Sequence, residues 1–258
     1  YKPYDHNPVY GGEKFEIPQV SHTYAYMHAL FAVMNEHQVS FGMPTLQPRD
    51  ELSCENGRLR LTQLTMIAAE RAKTAREAIK IMGSLAEKYG FRSEYTPGKS
   101  LGVADPNEVW FFEIFEPGPF WTPGCGKPGA IWVAQRVPDD EVGIFPNEMA
   151  IGEIDFNDPD HFMYSSNIKS FAVEMGWWPE DAKRPFNVRH AYQGKKREGW
   201  GTTIRKWRGI KLVAPSLDIP DPYEMDKMVD EYGYPLHYPF SVKPDKKLSV
   251  KDVFAITR

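Results

Sequence analysis

The chain has 258 residues, 26% of them charged, and a net charge of −4 at pH 7. Acidic and basic residues are interspersed, which argues against nucleic acid as a partner, because that needs a concentrated basic face. The longest apolar runs, such as Ile131-Trp132-Val133-Ala134, are too short to span a bilayer, and the length allows a substantial core in one large domain or two small ones.

Residues 1–28 mix Tyr, His and Pro around one extended run at 15–20. Tyr1-Lys2-Pro3-Tyr4 lacks the apolar core and cleavage site of a targeting segment, and no initiator Met precedes it. At the other end, 248–258 opens a helix-like pattern with no capping residue. Both ends are expected to be cut from a longer polypeptide.

Two apolar runs flank a polar tetrad at 31–42, which predicts a β-hairpin with Asn35 at its tip or strand end. The residues leave two readings of Asn35 open. It suits a turn, since Asn tolerates left-handed backbone and bonds its own main chain. It also suits a hydrolase, where a side-chain amide donates N–H to a developing oxyanion.

After a polar loop at 44–60, Leu61, Leu64, Ile67 and Ala68 mark the stripe of a first helix. A second opens with a capping box, Thr74-Ala75-Arg76-Glu77, and repeats apolar residues at three- and four-residue spacing from Ala75 to Tyr89 before Gly90 closes it. From about residue 100 the pattern turns to strands, at 101–104, 108–115, 130–137 and 142–145, with Asp105-Pro106-Asn107 as the turn of a hairpin. Shorter helices are expected near 167–176, 200–208 and 223–232. This order predicts a layered sheet-plus-helix domain, not a doubly wound one.

The cysteines, Cys54 and Cys125, both sit in loop-like settings without metal-ligand spacing, so zinc is not expected. One disulfide would fit an exported protein and two thiols the cytoplasm; the aromatic- and proline-rich loops tip the expectation toward export. Asp155-Phe156-Asn157-Asp158-Pro159-Asp160-His161 gathers ligand-type side chains but lacks calcium-loop spacing, so it reads as a solvated acidic turn. Asn167 follows Ser165 and Ser166 and precedes an apolar run, which fits a helix N-terminus capped by Ser166 or Asn167, or a second amide donor at Asn167. In the basic stretch 202–211, one Arg is expected to point into a site and anchor a carboxylate or tune a nucleophile, with the other Arg and Lys on a solvated helix face. There is no HExxH and no P-loop, and no His is paired with an evident nucleophile.

Three segments taken together, Val33-Met34-Asn35-Glu36-His37, Tyr164-Ser165-Ser166-Asn167 and Arg205-Lys206-Trp207-Arg208, resemble the N-terminal-nucleophile cysteine amidohydrolases. The branch they are most similar to is the C69 dipeptidases, relatives of secernins and of bile-salt and penicillin V acylases. The resemblance runs through most of 14–258. It implies one catalytic domain over 1–258 with an α+β fold, a four-layer αββα sandwich. It also implies a cysteine that becomes the first residue after processing and attacks a dipeptide carbonyl. By resemblance, Asn35 forms the oxyanion hole, Asn167 is a second active-site amide, and Arg205 lies near the nucleophile. Neither Cys54 nor Cys125 is an N-terminal residue, so the nucleophile is expected upstream of Tyr1. The expected partner is a small peptide, with no cofactor, nucleic acid or membrane and with oligomeric state open. The acidic residues near 153–160 could meet its α-amine. The alternatives are hydrolysis of other linear amides on the same scaffold, and a non-catalytic relative that only binds.

Overall fold

A computed structural model of the protein describes residues 16–197 and 199–256. The helix pair forms as the periodicity predicts. Helix α1 (Leu61–Arg71) and helix α2 (Ala75–Tyr89) pack as antiparallel neighbours joined by Ala72–Thr74. Thr74 caps α2 by accepting a hydrogen bond from the Glu77 N–H, while Glu77 reaches one residue beyond the expected box to the Lys73 N–H, at 2.7 Å. Gly90 ends the helix at φ +82°, a conformation that costs other residues strain.

Seven strands form one sheet in the order β1-β2-β3-β4-β5-β6-β8, and every neighbouring pair is antiparallel. They are β1 (Tyr26–His28), β2 (Ala32–Asn35), β3 (Ser40–Gly42), β4 (Gly98–Ala104), β5 (Val109–Phe115), β6 (Ile131–Val137) and β8 (Phe162–Tyr164). Strands β2 and β3 are the expected hairpin, with Met34 opposite Ser40. Asp105 holds the β4–β5 turn by accepting from the Asn107 and Glu108 N–H groups, and its other oxygen takes the Ala75 N–H at the start of α2. A two-stranded ribbon pairs β7 (Val142–Gly143) with β9 (Ser241–Val242).

Strand alternation sorts the core onto two faces. Leu101, Val103, Trp110, Phe112, Ile114 and Trp132 face α1 and α2, meeting Leu64, Ala68, Ile79, Met82 and Ala86. Helix α2 comes so near the sheet that a Cβ on Gly83 would lie 2.5 Å from the Trp132 ring. On the opposite face Phe111, Phe115, Ile131 and Val133 pack against α3 (Ile168–Glu174), α4 (Val188–Tyr192) and the irregular segment 149–154. Phe115 stacks on Tyr192 at 5.0 Å and Phe111 on Phe145 at 3.7 Å. A third cluster joins α5 (Trp200–Val213) to α6 (Pro222–Met225), β9 and α7 (Val250–Ile256).

The molecule is thus mixed α/β on a large antiparallel sheet. The described residues contain one such sheet and not the two of a four-layer sandwich. Three local expectations are corrected. Residues 16–20 form no strand. The helix placed at 223–232 stops at Met225, because Asp230 accepts the Tyr232 and Tyr234 N–H groups and folds that segment into a turn. Strand β8 precedes α3 where only a helix start was read. The run 1–15 and the last two residues lie outside the described residues. No described helix is long and apolar enough to cross a membrane.

Candidate active site

Asn35 ends β2 with its side chain buried beneath α1. Its Nδ2 donates to the carbonyls of Ala69 and Ala72, at 2.9 and 2.8 Å, in the last turn of α1 and at its C-cap. Its Oδ1 accepts the His37 and Val39 N–H groups, both at 3.0 Å. The amide therefore fixes the hairpin turn and satisfies two carbonyls that a helix end leaves unpaired. Both amide protons are committed to these bonds.

Asn167 stands at the N-cap position of α3, but its side chain does not cap. Its Nδ2 donates to the Ala130 carbonyl at 3.3 Å, while Oδ1 is buried without a partner among the described residues. One Nδ2 proton has no bond among the described residues. Nearby, Ser165 accepts the Trp132 N–H and holds this loop to the start of β6.

Arg205, on the exposed side of α5, donates to Asn147 Oδ1 at 3.1 Å and to its own helix at Gly201. Asn147 in turn donates to the Thr45 carbonyl, beside β4. Among the described residues no hydrogen-bond partner is common to any two of the three. Between β2, which carries Asn35, and β6, which begins just after the Ala130 that Asn167 bonds, lie four strand steps of about 4.8 Å, or about 19 Å.

The acidic segment folds onto itself. Asp155 and Asp158 accept backbone N–H groups of their own loop, Asp158 also pairs with His161 at 2.9 Å, and the carbonyls of Pro159 and Asp160 receive Arg76. The cysteines are separate free thiols. Burial pushes the Cys54 thiol up from its ordinary range. Cys125 is exposed, and backbone N–H groups of Thr122 and Lys127 hold its thiol lower.

The structure also assembles buried charge that sequence reasoning did not single out. Lys206 was placed on a solvated helix face, yet its side chain is only 2% exposed and its Nζ lies 2.6 Å from Glu148 Oε1. With Thr202 donating to the Asn147 carbonyl, one face of α5 is bonded to the 147–148 segment. Glu113 is fully buried at the centre of β5, opposite Ser100 of β4. Its Oε1 accepts the Ala150 and Ile151 N–H groups, at 2.5 and 3.3 Å. Glu113 Oε2 and Ser100 Oγ are buried without partners among the described residues. Burial pushes the Glu113 carboxyl up to about 8, opposed by those two N–H groups and by Arg189. A charged residue at an inward position of Val109-Trp110-Phe111-Phe112-Glu113-Ile114-Phe115 is a signal the sequence did contain.

Beside α5 opens a small cleft lined by Glu148, Arg197, Lys206, Asp226 and His237 among others. Burial, reinforced by the cations Arg189, Lys206 and Arg197, holds the His237 ring far below its ordinary pKa, hence neutral. Its neighbour His190 is also neutral, brought to about 4 by burial against the pull of Asp230.

Comparison with known proteins places the chain among the peptidases: residues 19–258 match the model of peptidase family C69. The chain belongs to that family. A probable dipeptidase of Latilactobacillus sakei is 31% identical over 180 residues, which cover 70% of this chain and 32% of that protein. Probable dipeptidase B of Lactococcus lactis subsp. lactis and probable dipeptidase A of Streptococcus pyogenes are 28% and 27% identical over 184 residues, 70% of this chain in each case and 32% and 33% of those proteins. The chain spans about a third of the length of the curated relatives it matches.

Proposed function

We propose that the protein acts in hydrolysis of dipeptides, with the thiol of an N-terminal cysteine as nucleophile. The observation that carries this reading is the family membership together with the dipeptidase names of its relatives. The thiolate attacks the peptide carbonyl, N–H donors hold the oxyanion, the amine leaves, and water clears the thioester. Neither thiol of this chain suits the role. Cys54 is buried with its protonated form favoured, and no titratable base stands in hydrogen-bond range of Cys125 among the described residues. We therefore assign the nucleophile to a part of the polypeptide other than these 258 residues.

Among the residues named by resemblance, Asn167 is our choice for an oxyanion donor, supported by its uncommitted Nδ2 proton. Arg205 is assigned to anchoring near the nucleophile, and Asn35 to holding the hairpin on α1. The four-layer sandwich is part of the same proposal. Away from α1 and α2, the row Ser40, Gly42, Gly102 and Ala104 presents small side chains, and a Cβ on Gly42 would meet nothing within 4 Å. Such a smooth face suits a second sheet, which stacks at about 10 Å.

The test is release of free amino acids from a dipeptide panel by the full-length protein, with N-acyl amino acids as the competing substrates. Dipeptides should be cleaved preferentially, iodoacetamide should abolish turnover, and the Cys54→Ala/Cys125→Ser variant should keep both properties. Loss of turnover in that folded variant would reject the placement of the nucleophile, and preference for acyl amides would reject the substrate class.

A further inference from the structure

Two neighbouring cations of α5 meet two neighbouring residues of one segment, and they meet them differently. Lys206 is buried against the carboxylate of Glu148. Arg205 is exposed and faces a neutral amide: its Nη2 donates to Asn147 Oδ1 at 3.1 Å and to Thr202 Oγ1 at 3.4 Å. Its Nε donates to the Gly201 carbonyl at 2.8 Å, and Nη1 makes no hydrogen bond among the described residues. No carboxylate of those residues lies within salt-bridge distance of this guanidinium. Asn147 is itself held from the sheet side. Its Nδ2 donates to the Thr45 carbonyl at 3.0 Å, and Thr45 bridges to Lys99 of β4. Its own carbonyl accepts the Thr202 hydroxyl at 3.2 Å. Further along the segment, the Ala150 and Ile151 N–H groups are bonded to Glu113 of β5. The apolar cluster that holds α5 is shared with α6, β9 and α7 and takes in no described residue of the seven-stranded sheet. Residues 147–151 therefore tie the first half of α5 to that sheet, and Asn147 is the part that touches Arg205.

We propose that Asn147 is a positioning residue for Arg205, aiming the guanidinium without neutralising it. The inference rests on the assignment of Arg205 to the neighbourhood of the nucleophile. A carboxylate at 147 would accept the same hydrogen bond but cancel the charge. An amide oxygen fixes the direction and leaves the field of the cation intact. A guanidinium held in this way favours the thiolate over the thiol of a nearby cysteine. Without the Asn147 amide one Nη2 bond is lost, the long side chain regains rotamer freedom, and the charge spends less time beside the thiol.

The test follows the pH dependence of iodoacetamide alkylation in the full-length protein, with the modified cysteine located by peptide mass spectrometry, beside dipeptide kcat/KM. Arg205→Ala should move the alkylation profile of the nucleophile upward by about one pH unit, the lower end of what an adjacent cation imposes. Asn147→Ala should move it part of the way and lower kcat/KM several-fold, and Asn147→Asp should move it as far as Arg205→Ala. In the Arg205→Ala background Asn147→Ala should add nothing, because it acts through that side chain. Asn147 is exposed, so the melting temperature should stay near that of wild type. A wild-type profile in Asn147→Ala, a shift that adds to that of Arg205→Ala, or a lowered melting temperature with unchanged turnover per folded molecule would overturn the inference. An unshifted profile in Arg205→Ala would overturn it too. Wild-type turnover that survives iodoacetamide would remove the thiol nucleophile and the inference with it. The stated shifts without dipeptide cleavage by the wild type would keep the link from Asn147 to Arg205 and remove the dipeptidase reading.

Discussion

Lys206 Nζ and Glu148 Oε1 stand 2.6 Å apart with both side chains nearly closed off from water, and the ammonium also lies 5.0 Å from the centre of the Phe145 ring. Breaking such a pair from one side leaves a charge buried without its counter-ion. Lys206→Met should therefore destabilise the fold by about 3–5 kcal/mol, and Lys206→Met/Glu148→Leu should recover most of that loss. Urea unfolding of the two variants measures the difference. A double variant no more stable than the single one would mean that the pair holds α5 in place through more than charge.

Asn35→Ala removes two donors from the Ala69 and Ala72 carbonyls and two acceptor bonds from the hairpin turn. With these groups buried, the cost is about 2–4 kcal/mol, since each orphaned group costs roughly 1–3 and the losses overlap. A missing oxyanion donor would act differently, lowering turnover by ~10²–10³ with little change in stability. Thermal melts and turnover per folded molecule separate the two. The structure predicts a lower melting temperature with turnover per folded molecule within a few-fold of wild type. Asn167→Ala should show the opposite pattern.

What the sequence disclosed about Asn35 was its place, not its partners. Its strand end could be read from the two apolar runs, because hairpins are local. The carbonyls it serves lie 34 and 37 residues away, and no periodicity reports such a contact. The same division holds across the fold. Helix α2 and strands β4 to β6 carry enough repeats to declare their period. Strands β1 and β8, at three residues each, are strands only because β2 and β6 offer them edges. Lys206 looked like one more cation on a basic helix, and only the tertiary arrival of Glu148 makes it a buried one. Glu113 was the exception, legible as a charge at an inward strand position.

That carboxyl makes stability depend on pH. Its folded pKa, about 8, lies above the ordinary carboxylate value of 4.5, so the native state keeps a proton that the unfolded chain has released. The contribution is fully present below about 4.5, declines as pH rises, and is lost above about 8, with a slope of at most about 1.4 kcal/mol per pH unit. Glu113→Gln stays neutral, can still accept the Ala150 N–H, and should flatten this decline. His190 and His237 titrate the other way, losing stability as pH falls, so the informative quantity is the wild-type minus variant difference in melting temperature from pH 5 to 9. A flat difference would place the native Glu113 charge elsewhere in the balance.

Gly83 gives the last prediction, because helix propensity and packing oppose each other there. Replacing a mid-helix glycine by alanine ordinarily gains about 1 kcal/mol. At this position the new methyl would lie 2.5 Å from Cε2 of Trp132, and the ring is not free to step aside. Its Nε1 donates to Glu87 at 2.6 Å, and its backbone N–H is held by Ser165. Either α2 lifts from the sheet or the indole leaves a low-energy rotamer, and overpacking of this kind costs about 1–3 kcal/mol. Gly83→Ala should thus lower stability despite its better propensity. Trimming the obstacle reverses the sign: in a Trp132→Leu background, itself destabilised, Gly83→Ala should be neutral or stabilising. A double-mutant cycle on urea midpoints reads this coupling directly, and a Gly83→Ala gain in the wild-type background would show that α2 does not approach the sheet this closely.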